Sequence, residues 1–472
     1  MTTQQCDFGM VGLGTMGRNL VLNMGDHGFS VAGFDKDLSK VSALEQEAGL
    51  HKIHGTRSVE EFLAALKQPR VILMLVPAGK IVDAVIDEFK PLLSPGDLLI
   101  DCGNSHYSDT DRRSDQLQKG NIFFMGTGVS GGESGARFGP SIMPGGSREV
   151  YDRVAPMLEA VSAKVNGEPC VAWLGPRSTG HYVKMVHNGI EYALMQLISE
   201  AYHLLKEIGG MNNSALNQLF SRWNQSALQS FLIGITTDIF AKQDDLTGGD
   251  LLDMIRASAR QKGTGMWTSQ DAFNLHVPIP SIDMAVAQRD LSAMAEERSA
   301  AQMVHGTAAL NDARPDQAVF AGQVEQALLF STIVAYAQGM SLLHHASNTY
   351  KYELDLAKVA GLWRGGCIIR AVLLEDIRAE YARDPSLANL LLSPHFARKL
   401  SDVQSGMRQT IKTAIDAGVP VPAMMACLSY FESYRREWLP ANLIQAQRDY
   451  FGAHTYERTD REGVFHTHWA AE

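Results

Sequence analysis

Hydrophobic and polar positions follow two different rhythms along this chain. Short apolar runs alternate with helix-like segments up to about residue 176, and long helical patterns follow from about residue 178. Strands that alternate with helices are typical of a doubly wound parallel sheet. The pattern therefore predicts an α/β domain at 1–177, a large all-helical domain at 178–436 and a C-terminal tail at 437–472.

The predicted strands bring polar and small residues to one edge of the sheet. Strands are expected at 8–11, 29–34, 70–76, 97–101 and 122–125. Ligands of such sheets bind at the carboxyl ends of the strands, where this chain has Asp35, Val76-Pro77-Ala78 and Asn104. On local grounds, Asn104 is as consistent with a turn residue as with a ligand.

Helix periodicity dominates the second part of the chain. Long helices are expected at 192–208, 214–223, 323–345 and 394–417. The tail is unusually aromatic for a chain end, and it places Arg448 and His454 among tyrosine and phenylalanine residues. Either the tail packs on the core of its own chain or it extends into another subunit.

Composition limits the classes of function. The chain has 472 residues, of which 45% are hydrophobic and 20% charged, and a net charge of −10, as in soluble globular proteins. A negative chain without a basic run argues against nucleic acid as a partner. We find no uninterrupted apolar run of membrane-spanning length and no signal-peptide pattern at the N-terminus. Five scattered cysteines without a CxxC pair favour a reduced, cytoplasmic location and no metal cluster.

A glycine motif follows the first predicted strand and precedes a helix-like segment. It consists of Gly12-Leu13-Gly14-Thr15-Met16-Gly17 and predicts a dinucleotide site, because its glycines allow backbone N–H groups to approach a pyrophosphate. Asp35 follows the second strand and favours NAD, since a carboxylate binds the ribose hydroxyls and repels a 2′-phosphate. Lys36 could bind that phosphate, but Asp37 weakens this effect.

Residues 126–146 are dense in glycine and include the triplet Ser130-Gly131-Gly132. A flexible linker is one interpretation of such a segment. Val129 and Phe138 are among the apolar residues between the glycines. They favour an ordered loop whose backbone N–H groups face a ligand.

Five polar residues recur at helical spacing between residues 184 and 192. On an α-helix, positions i, i+3, i+4, i+7 and i+8 share one face. These positions hold Lys184, His187, Asn188, Glu191 and Tyr192. A solvated helix face is the ordinary interpretation. The mixture of a potential base with a potential acid inside an apolar segment favours a catalytic face.

Two further basic residues stand alone in the helical part of the chain. Lys262 lies between Gln261 and two glycines, a setting suited to an anion-binding turn, and Arg289 precedes an aspartate. Taken singly, each is more typical of a loop or a surface charge.

These segments together resemble the decarboxylating 6-phosphogluconate dehydrogenases. The resemblance rests on the glycine motif, Gly128 to Glu133, Lys184 to Tyr192, Gln261-Lys262-Gly263-Thr264-Gly265 and Arg448 to His454, in the same order. It implies a Rossmann-type coenzyme domain, an all-helical domain and a tail that enters the other subunit of a homodimer. It also implies the conversion of 6-phospho-D-gluconate to D-ribulose 5-phosphate and CO2, with reduction of NAD or NADP and without a metal.

The resemblance implies roles for single residues as well. Lys184 is expected to take the proton of the C3 hydroxyl, and Glu191 to protonate C1 after CO2 has left. The expected ligands of the hydroxyls and carboxylate are Asn104, Ser130, Gly131, Gly132, His187 and Asn188. The expected phosphate ligands are Tyr192, Lys262, Thr264, Arg289 and, from the partner chain, Arg448 and His454. The coenzyme is expected to contact residues 12–17, 35–37 and 76–78 and Asn104.

Two positions depart from the NADP-dependent members of this family. Those members carry Asn-Arg-Thr after the second strand, where this chain has Asp35-Lys36-Asp37. They also carry a lysine after the next predicted strand, where this chain has Pro77. Both changes remove groups suited to a 2′-phosphate, and we therefore expect the enzyme to prefer NAD or to use both coenzymes, with NAD favoured.

Two alternatives remain at the level of sequence. A dehydrogenase of the 3-hydroxyisobutyrate type shares the N-terminal features, but it is shorter and lacks the acid at Glu191, the basic phosphate set and the aromatic tail. An inactive dinucleotide-sensing protein is expected to have lost Lys184 or Glu191, and this chain has both.

Overall fold

A seven-stranded sheet organises the N-terminal part of the computed structural model, which describes residues 5–306 and 315–469. The strands lie in the order β3-β2-β1-β4-β5-β6-β7 and are parallel, except that β7 runs antiparallel to β6. The strands are β1 Phe8–Val11, β2 Val31–Phe34, β3 Ile53–Thr56, β4 Val71–Met74, β5 Leu98–Asp101, β6 Phe123–Ser130 and β7 Ser141–Pro144. The predicted α/β class is confirmed.

Helices cover both faces of this sheet. They are α1 Thr15–Asp26, α2 Leu38–Glu47, α3 Val59–Ala64, α4 Lys80–Phe89, α5 Tyr107–Gln118, α6 Gly132–Phe138 and α7 Arg148–Val161. One apolar core lies under α1, α2 and α7, and a second lies under α3, α4 and α5. A two-stranded hairpin of β8 Lys164–Val165 and β9 Glu168–Pro169 ends this sheet domain.

The strand order reverses direction between β1 and β4. Successive strands run outward to β3 on one side of β1 and to β7 on the other. At such a switch point the loops after neighbouring strands diverge and leave a crevice for a ligand. The loops after β1, β4 and β5 therefore define the ligand-binding edge of the sheet.

The glycine-dense segment 126–146 differs from its prediction. We expected an ordered loop, but the segment contains the end of β6, helix α6 and strand β7. Thr127 pairs with Pro144 and Ser130 with Ser141 across the antiparallel ladder. Its glycines serve close packing, because a Cβ on Gly128 would collide with the side chain of Lys184.

The second part of the chain is helical, as predicted. Its helices are α8 Thr179–Glu207, α9 Asn213–Trp223, α10 Phe231–Ala241, α11 Leu251–Met254, α12 Thr264–Asn274, α13 Pro280–Ala293, α14 Ala295–His305, α15 Gln317–Tyr350, α16 Leu356–Leu362, α17 Leu373–Arg383, α18 Pro394–Asp416 and α19 Pro422–Tyr434. The tail adds α20 Ala441–Gly452 and a hairpin of β10 Tyr456–Glu457 and β11 Val464–Phe465.

Helix α15 is the central helix of this helical domain. By length and composition it could cross a membrane, but it packs against α8 and α18, and most of its residues are buried. Gly339 of α15 faces Ile190 of α8 without space for a Cβ. Helix α15 is therefore a core helix, which can be as long and as apolar as a membrane-spanning helix.

Candidate active site

Helix α8 carries the five predicted polar side chains on one face, and that face points into the protein. Lys184 is 6% exposed and His187 is 0% exposed, while Glu191 lies closer to solvent. The helix reaches this depth because Gly128 of β6 leaves room for the stem of Lys184. The polar face is therefore not a solvated surface, and its ionisable groups titrate in a desolvated environment.

Burial shifts the two ionisable groups of the proposed chemistry in opposite directions. It lowers the pKa of the Lys184 amine, although Glu191 and Cys367 oppose this shift. It raises the pKa of the Glu191 carboxyl, although Lys184 and Arg289 oppose that shift. Desolvation favours the uncharged form of each group, which is a neutral amine for Lys184 and a protonated carboxyl for Glu191.

His187 links Lys184 to the loop after β6. Its Nδ1 lies 3.5 Å from Lys184 Nζ and 3.1 Å from Asn188 Oδ1, and its Nε2 lies 3.3 Å from Ser130 Oγ. Burial, and to a smaller extent the positive charge of Lys184, hold the pKa of His187 well below its usual range. A neutral ring with the proton on Nδ1 donates to Asn188 and accepts from the Ser130 hydroxyl at Nε2. The 3.8 Å contact of His187 with Glu191 is then not an ion pair.

The remaining candidates for the hydroxyl and carboxylate ligands lie on α8, in the loop after β5 and at the start of α6. Asn188 Nδ2 lies 3.5 Å from Asn104 Oδ1, which brings α8 next to the loop after β5. Gly131 has a φ of +126° and packs against the carbonyl of Gly366, which an L side chain would obstruct. Gly132 begins α6 and has open space where a Cβ would be. Asn104 and Asn188 are therefore neighbours, and Gly131 and Gly132 directly follow Ser130, whose hydroxyl contacts His187.

A second cluster lies one helical turn further along α8. The guanidinium of Arg289, on α13, stacks 3.5 Å from the centre of the Tyr192 ring. Gly265, in the first turn of α12, packs against the same ring without space for a Cβ. The N-terminus of α12 thereby brings Thr264 and Lys262 towards Tyr192 and Arg289. Cations and a helix N-terminus at one place suit a phosphate.

A cleft of about 670 Å³ opens between the glycine motif and α12. It is lined by residues of the glycine motif, by the loops after β4 and β5, and by the start of α12. Among the sequence candidates, the lining contains Gly14, Thr15, Met16, Gly17, Val76, Pro77, Ala78, Asn104, Lys262 and Thr264. Of the substrate candidates, Asn104, Lys262 and Thr264 therefore share this cavity with the coenzyme candidates.

The glycine motif fits a dinucleotide. Gly12 has a φ of +94°, and a Cβ there would lie 2.5 Å from the carbonyl oxygen of Leu75. Gly14 has no atom within 4 Å of its Cβ position, so the backbone faces open space at the N-terminus of α1. Backbone N–H groups and a helix N-terminus can approach a pyrophosphate there.

An adjoining cavity of about 580 Å³ lies beyond Asp35. Asp35 accepts a hydrogen bond from the Leu13 N–H at 2.8 Å and one from the Asp37 N–H at 2.9 Å. Lys36 lines the cavity and forms an ion pair with Glu88 at 2.8 Å. Asp37 instead caps α2, and Leu13 is buried in the core, so neither side chain lines either cavity.

The chain matches known families along almost its whole length. Residues 7–175 match the family model described as the NAD binding domain of 6-phosphogluconate dehydrogenase, and residues 180–469 match the model of its C-terminal domain. A Bacillus subtilis protein named NADP(+)-dependent, decarboxylating 6-phosphogluconate dehydrogenase is 50% identical, over 99% of this chain and 100% of the relative. The chain belongs to the 6-phosphogluconate dehydrogenase family.

Two further members of the family also match this chain over nearly its full length. A decarboxylating 6-phosphogluconate dehydrogenase of Rattus norvegicus is 47% identical, over 98% of this chain and 97% of the relative. The 6-phosphogluconate dehydrogenase of Plasmodium falciparum, whose structure is known with NADP+ and with 6-phosphogluconate, superimposes with a TM-score of 0.95. It is 41% identical and covers 98% of this chain and 100% of its own. Family membership over this length decides against the shorter 3-hydroxyisobutyrate type.

The tail does not bring Arg448 and His454 to the cleft of its own chain. Arg448 donates to Gln445 at 3.0 Å, and His454 packs edge-on against Phe451, so both contacts stay within the tail. The tail folds around the buried carboxylate of Asp449, which accepts hydrogen bonds from later tail residues. The prediction that these two side chains bind the phosphate therefore depends on a second chain.

Some cleft residues were not predicted from the sequence. His106 and Trp267 line the shared cleft, and Lys80 and Glu88 line the cavity beyond Asp35. His106 and Trp267 could have been found, because they lie close in sequence to Asn104 and Thr264. Glu88 gave no signal, since it reaches the site from the far end of α4. Among the described residues, no group of three His, Cys, Asp or Glu side chains could hold a metal ion.

Proposed function

We propose that this chain oxidises and decarboxylates 6-phospho-D-gluconate to D-ribulose 5-phosphate and CO2, the carbon-releasing step of the pentose phosphate pathway. The observation that carries the proposal is the pair Lys184 and Glu191 on the buried face of α8. Burial shifts their pKa values in the two directions that a base and an acid need. The five cysteines, all free and buried, are compatible with a cytoplasmic enzyme.

In the oxidation step, Lys184 acts as the general base. Its neutral amine takes the proton of the C3 hydroxyl, and a nicotinamide coenzyme held by residues 12–17 and 76–78 would supply the hydride acceptor for C3. The amine is available because desolvation disfavours the ammonium form. His187 stays within 3.5 Å of Nζ and, being neutral, adds no repulsion to the ammonium that forms.

In the decarboxylation step, both side chains act as donors. Lys184 donates a hydrogen bond, and Glu191 donates a proton. The C3 ketone lets the carboxylate leave as CO2, and the protonated Lys184 donates a hydrogen bond to the ketone oxygen as negative charge develops there. Glu191 then donates its proton to C1 of the enediol. Desolvation keeps that proton on the carboxyl at a pH where an exposed glutamate has lost it.

The phosphate is bound at the Tyr192 end of the site in this proposal. Tyr192, Lys262, Thr264 and Arg289 lie around the N-terminus of α12. The aromatic tail of a second copy supplies Arg448 and His454, so that a homodimer completes each site. In support, the tail exposes large apolar side chains, including Phe451 at 73% and Trp438 at 66%.

For the coenzyme we propose a preference for NAD over NADP. Asp35 carries its carboxylate at the edge of the cavity, and Pro77 offers no donor to a 2′-phosphate. Glu88 supports the same proposal, because it neutralises Lys36 through their 2.8 Å ion pair. Such a preference is a departure from the Bacillus subtilis relative, which is named for NADP(+).

Replacing Lys184 tests the assignment of the base. Lys184→Ala is expected to lower kcat by about a thousandfold, because proton abstraction by a positioned base contributes about 10²–10⁴. Coenzyme binding, measured by calorimetric titration, should stay within about twofold of wild type, since Lys184 does not line the coenzyme cleft. Lys206→Ala is the matched control, because Lys206 lies at the far end of α8 and pairs with Asp253. A Lys184→Ala enzyme with near-normal kcat would remove the assignment.

Steady-state kinetics with both coenzymes test the preference. Wild type is expected to have a higher kcat/KM with NAD than with NADP. Glu88→Gln should raise kcat/KM roughly threefold with NADP and leave kcat/KM with NAD unchanged, because it releases the exposed Lys36 from its ion pair. Glu45→Gln is the control, because Glu45 pairs with Arg57 and lies outside the described cavity lining. A clear NADP preference in wild type contradicts the proposal.

A further inference from the structure

Asp271, on α12, is a buried carboxylate that receives three phenol hydroxyls. Tyr107 and Tyr350 donate to Oδ1 at 2.6 and 2.9 Å, and Tyr182 donates to Oδ2 at 2.5 Å. Asp271 is 2% exposed, so these donors replace the water that a carboxylate otherwise needs. The rings of the three tyrosines also contact one another, with centroids 5.1–5.7 Å apart.

The three tyrosines lie on three different helices. Tyr107 is the first residue of α5 and follows the Asn104 loop of the sheet domain. Tyr182 precedes Lys184 on α8, and Tyr350 is the last residue of α15. Asp271 itself belongs to the helix that begins at Thr264. The carboxylate therefore connects the coenzyme side of the cleft with the substrate side.

Helix α12 is held to α8 by contacts that do not involve Tyr107. Thr268 Oγ1 donates to the carbonyl of Met185 at 2.9 Å, and Gly189 packs against Thr268 without space for a Cβ. In contrast, the Tyr107–Asp271 hydrogen bond joins α12 to the sheet domain. Next to it, the ring of His106 meets Trp267 edge-on at 5.2 Å, and both rings line the shared cleft.

We propose that the Tyr107–Asp271 hydrogen bond aligns the coenzyme with the substrate for hydride transfer, and that both are positioning residues. The inference rests on the proposed function. Hydride transfer requires the two carbons to approach to about 3–3.5 Å, and small displacements lower the rate steeply. In the proposed function the sheet domain binds the coenzyme, and α8 and α12 bind the substrate, so a hydrogen bond between α12 and the sheet domain contributes to that separation.

Two tyrosine variants separate positioning from stability. Tyr107→Phe and Tyr350→Phe each remove one hydroxyl that donates to Asp271 Oδ1, and each keeps the aromatic ring. Only Tyr107 lies in the sheet domain. Both variants are expected to lower the Tm to a similar extent. Tyr107→Phe alone should lower kcat/KM by about tenfold and raise the deuterium isotope effect measured with substrate labelled at C3.

Tyr350→Phe is the matched control. Tyr350→Phe should keep the kcat/KM and the isotope effect of wild type. The proposal is overturned if Tyr107→Phe only lowers the Tm, or if both variants change the isotope effect equally. A wild-type enzyme that does not turn over 6-phosphogluconate refutes the proposed function instead, so the two failures are distinguishable.

Discussion

At the scale of single residues, the site depends on two side chains that must hold opposite protonation states. Lys184 must be neutral to accept a proton, and Glu191 must be protonated to donate one. Burial on α8 favours both uncharged forms, and the mutual attraction of the charged forms opposes it. The sequence predicted this pair from helical spacing. The direction of the pKa shifts comes from burial, and the extent of burial depends on packing against elements that are distant in sequence, such as β6.

The pH dependence of kcat/KM tests this pair. Activity is expected to fall at acidic pH as the Lys184 amine gains a proton, and at alkaline pH as the Glu191 carboxyl loses one. The two inflections belong to the coupled pair, not to one residue each. Glu191→Gln should lower kcat by about 10²–10⁴ and abolish the alkaline fall in the residual activity. An alkaline fall that persists in Glu191→Gln would assign that limb to another group.

At the scale of elements, helix α8 combines the catalytic face with a buried contact to α19. Glu200 of α8 accepts hydrogen bonds from the N–H groups of Ala423 and Met424, in the first turn of α19. Burial raises the pKa of Glu200 to about 7, although these donors and Gln196 oppose the shift. A carboxyl whose pKa is raised in the folded state stabilises the fold most when it is protonated.

Stability should therefore decrease as Glu200 ionises. The contribution is fully present below the ordinary pKa of 4.5 and is lost as the pH rises through about 7. The corresponding change in the free energy of unfolding is about 3 kcal/mol. Urea unfolding at a series of pH values measures it, and Glu200→Gln should remove this part of the pH dependence. The exposed Glu207→Gln on the same helix should retain it, and equal behaviour of the two variants contradicts the assignment.

The sequence predicted the elements that have a strong local pattern. Strand β1 was predicted with its observed bounds, and the glycine motif follows it as predicted, although α1 begins inside the motif at Thr15. The helical domain follows from apolar periodicity over long segments. Strand β7 was missed because the glycines around it suggest a loop, and its pairing with β6 forms only in the tertiary structure. Asp271 gave no signal either, since its three partners lie far apart in the chain.

At the scale of the whole molecule, the proposed enzyme needs two copies of the chain. A single chain exposes the apolar face of its tail and keeps Arg448 away from its own cleft. In the proposed two-fold dimer, exchanged tails would cover this surface and bring Arg448 and His454 to each phosphate. The net charge of −10 makes such local cations important for attracting an anionic substrate.

Mixed dimers test the exchange of tails. Lys184→Ala and Arg448→Ala chains are each expected to be impaired when assayed alone. In a mixed dimer, one site combines an intact Lys184 with the intact tail of the other chain. Random reassembly of equal amounts should therefore restore about a quarter of the wild-type activity. Activity that does not exceed the sum of the two separate variants would mean that each tail acts in its own chain.

In the proposed function, oxidation and decarboxylation of 6-phosphogluconate occur together at this site. Simultaneous measurement of CO2 release and reduced coenzyme in wild type, with NAD and NADP in parallel, tests this coupling. Wild type should form equal amounts of both products and react faster with NAD, and Lys184→Ala should lose both products. Reduced coenzyme without CO2, or no reaction with either coenzyme, would contradict it.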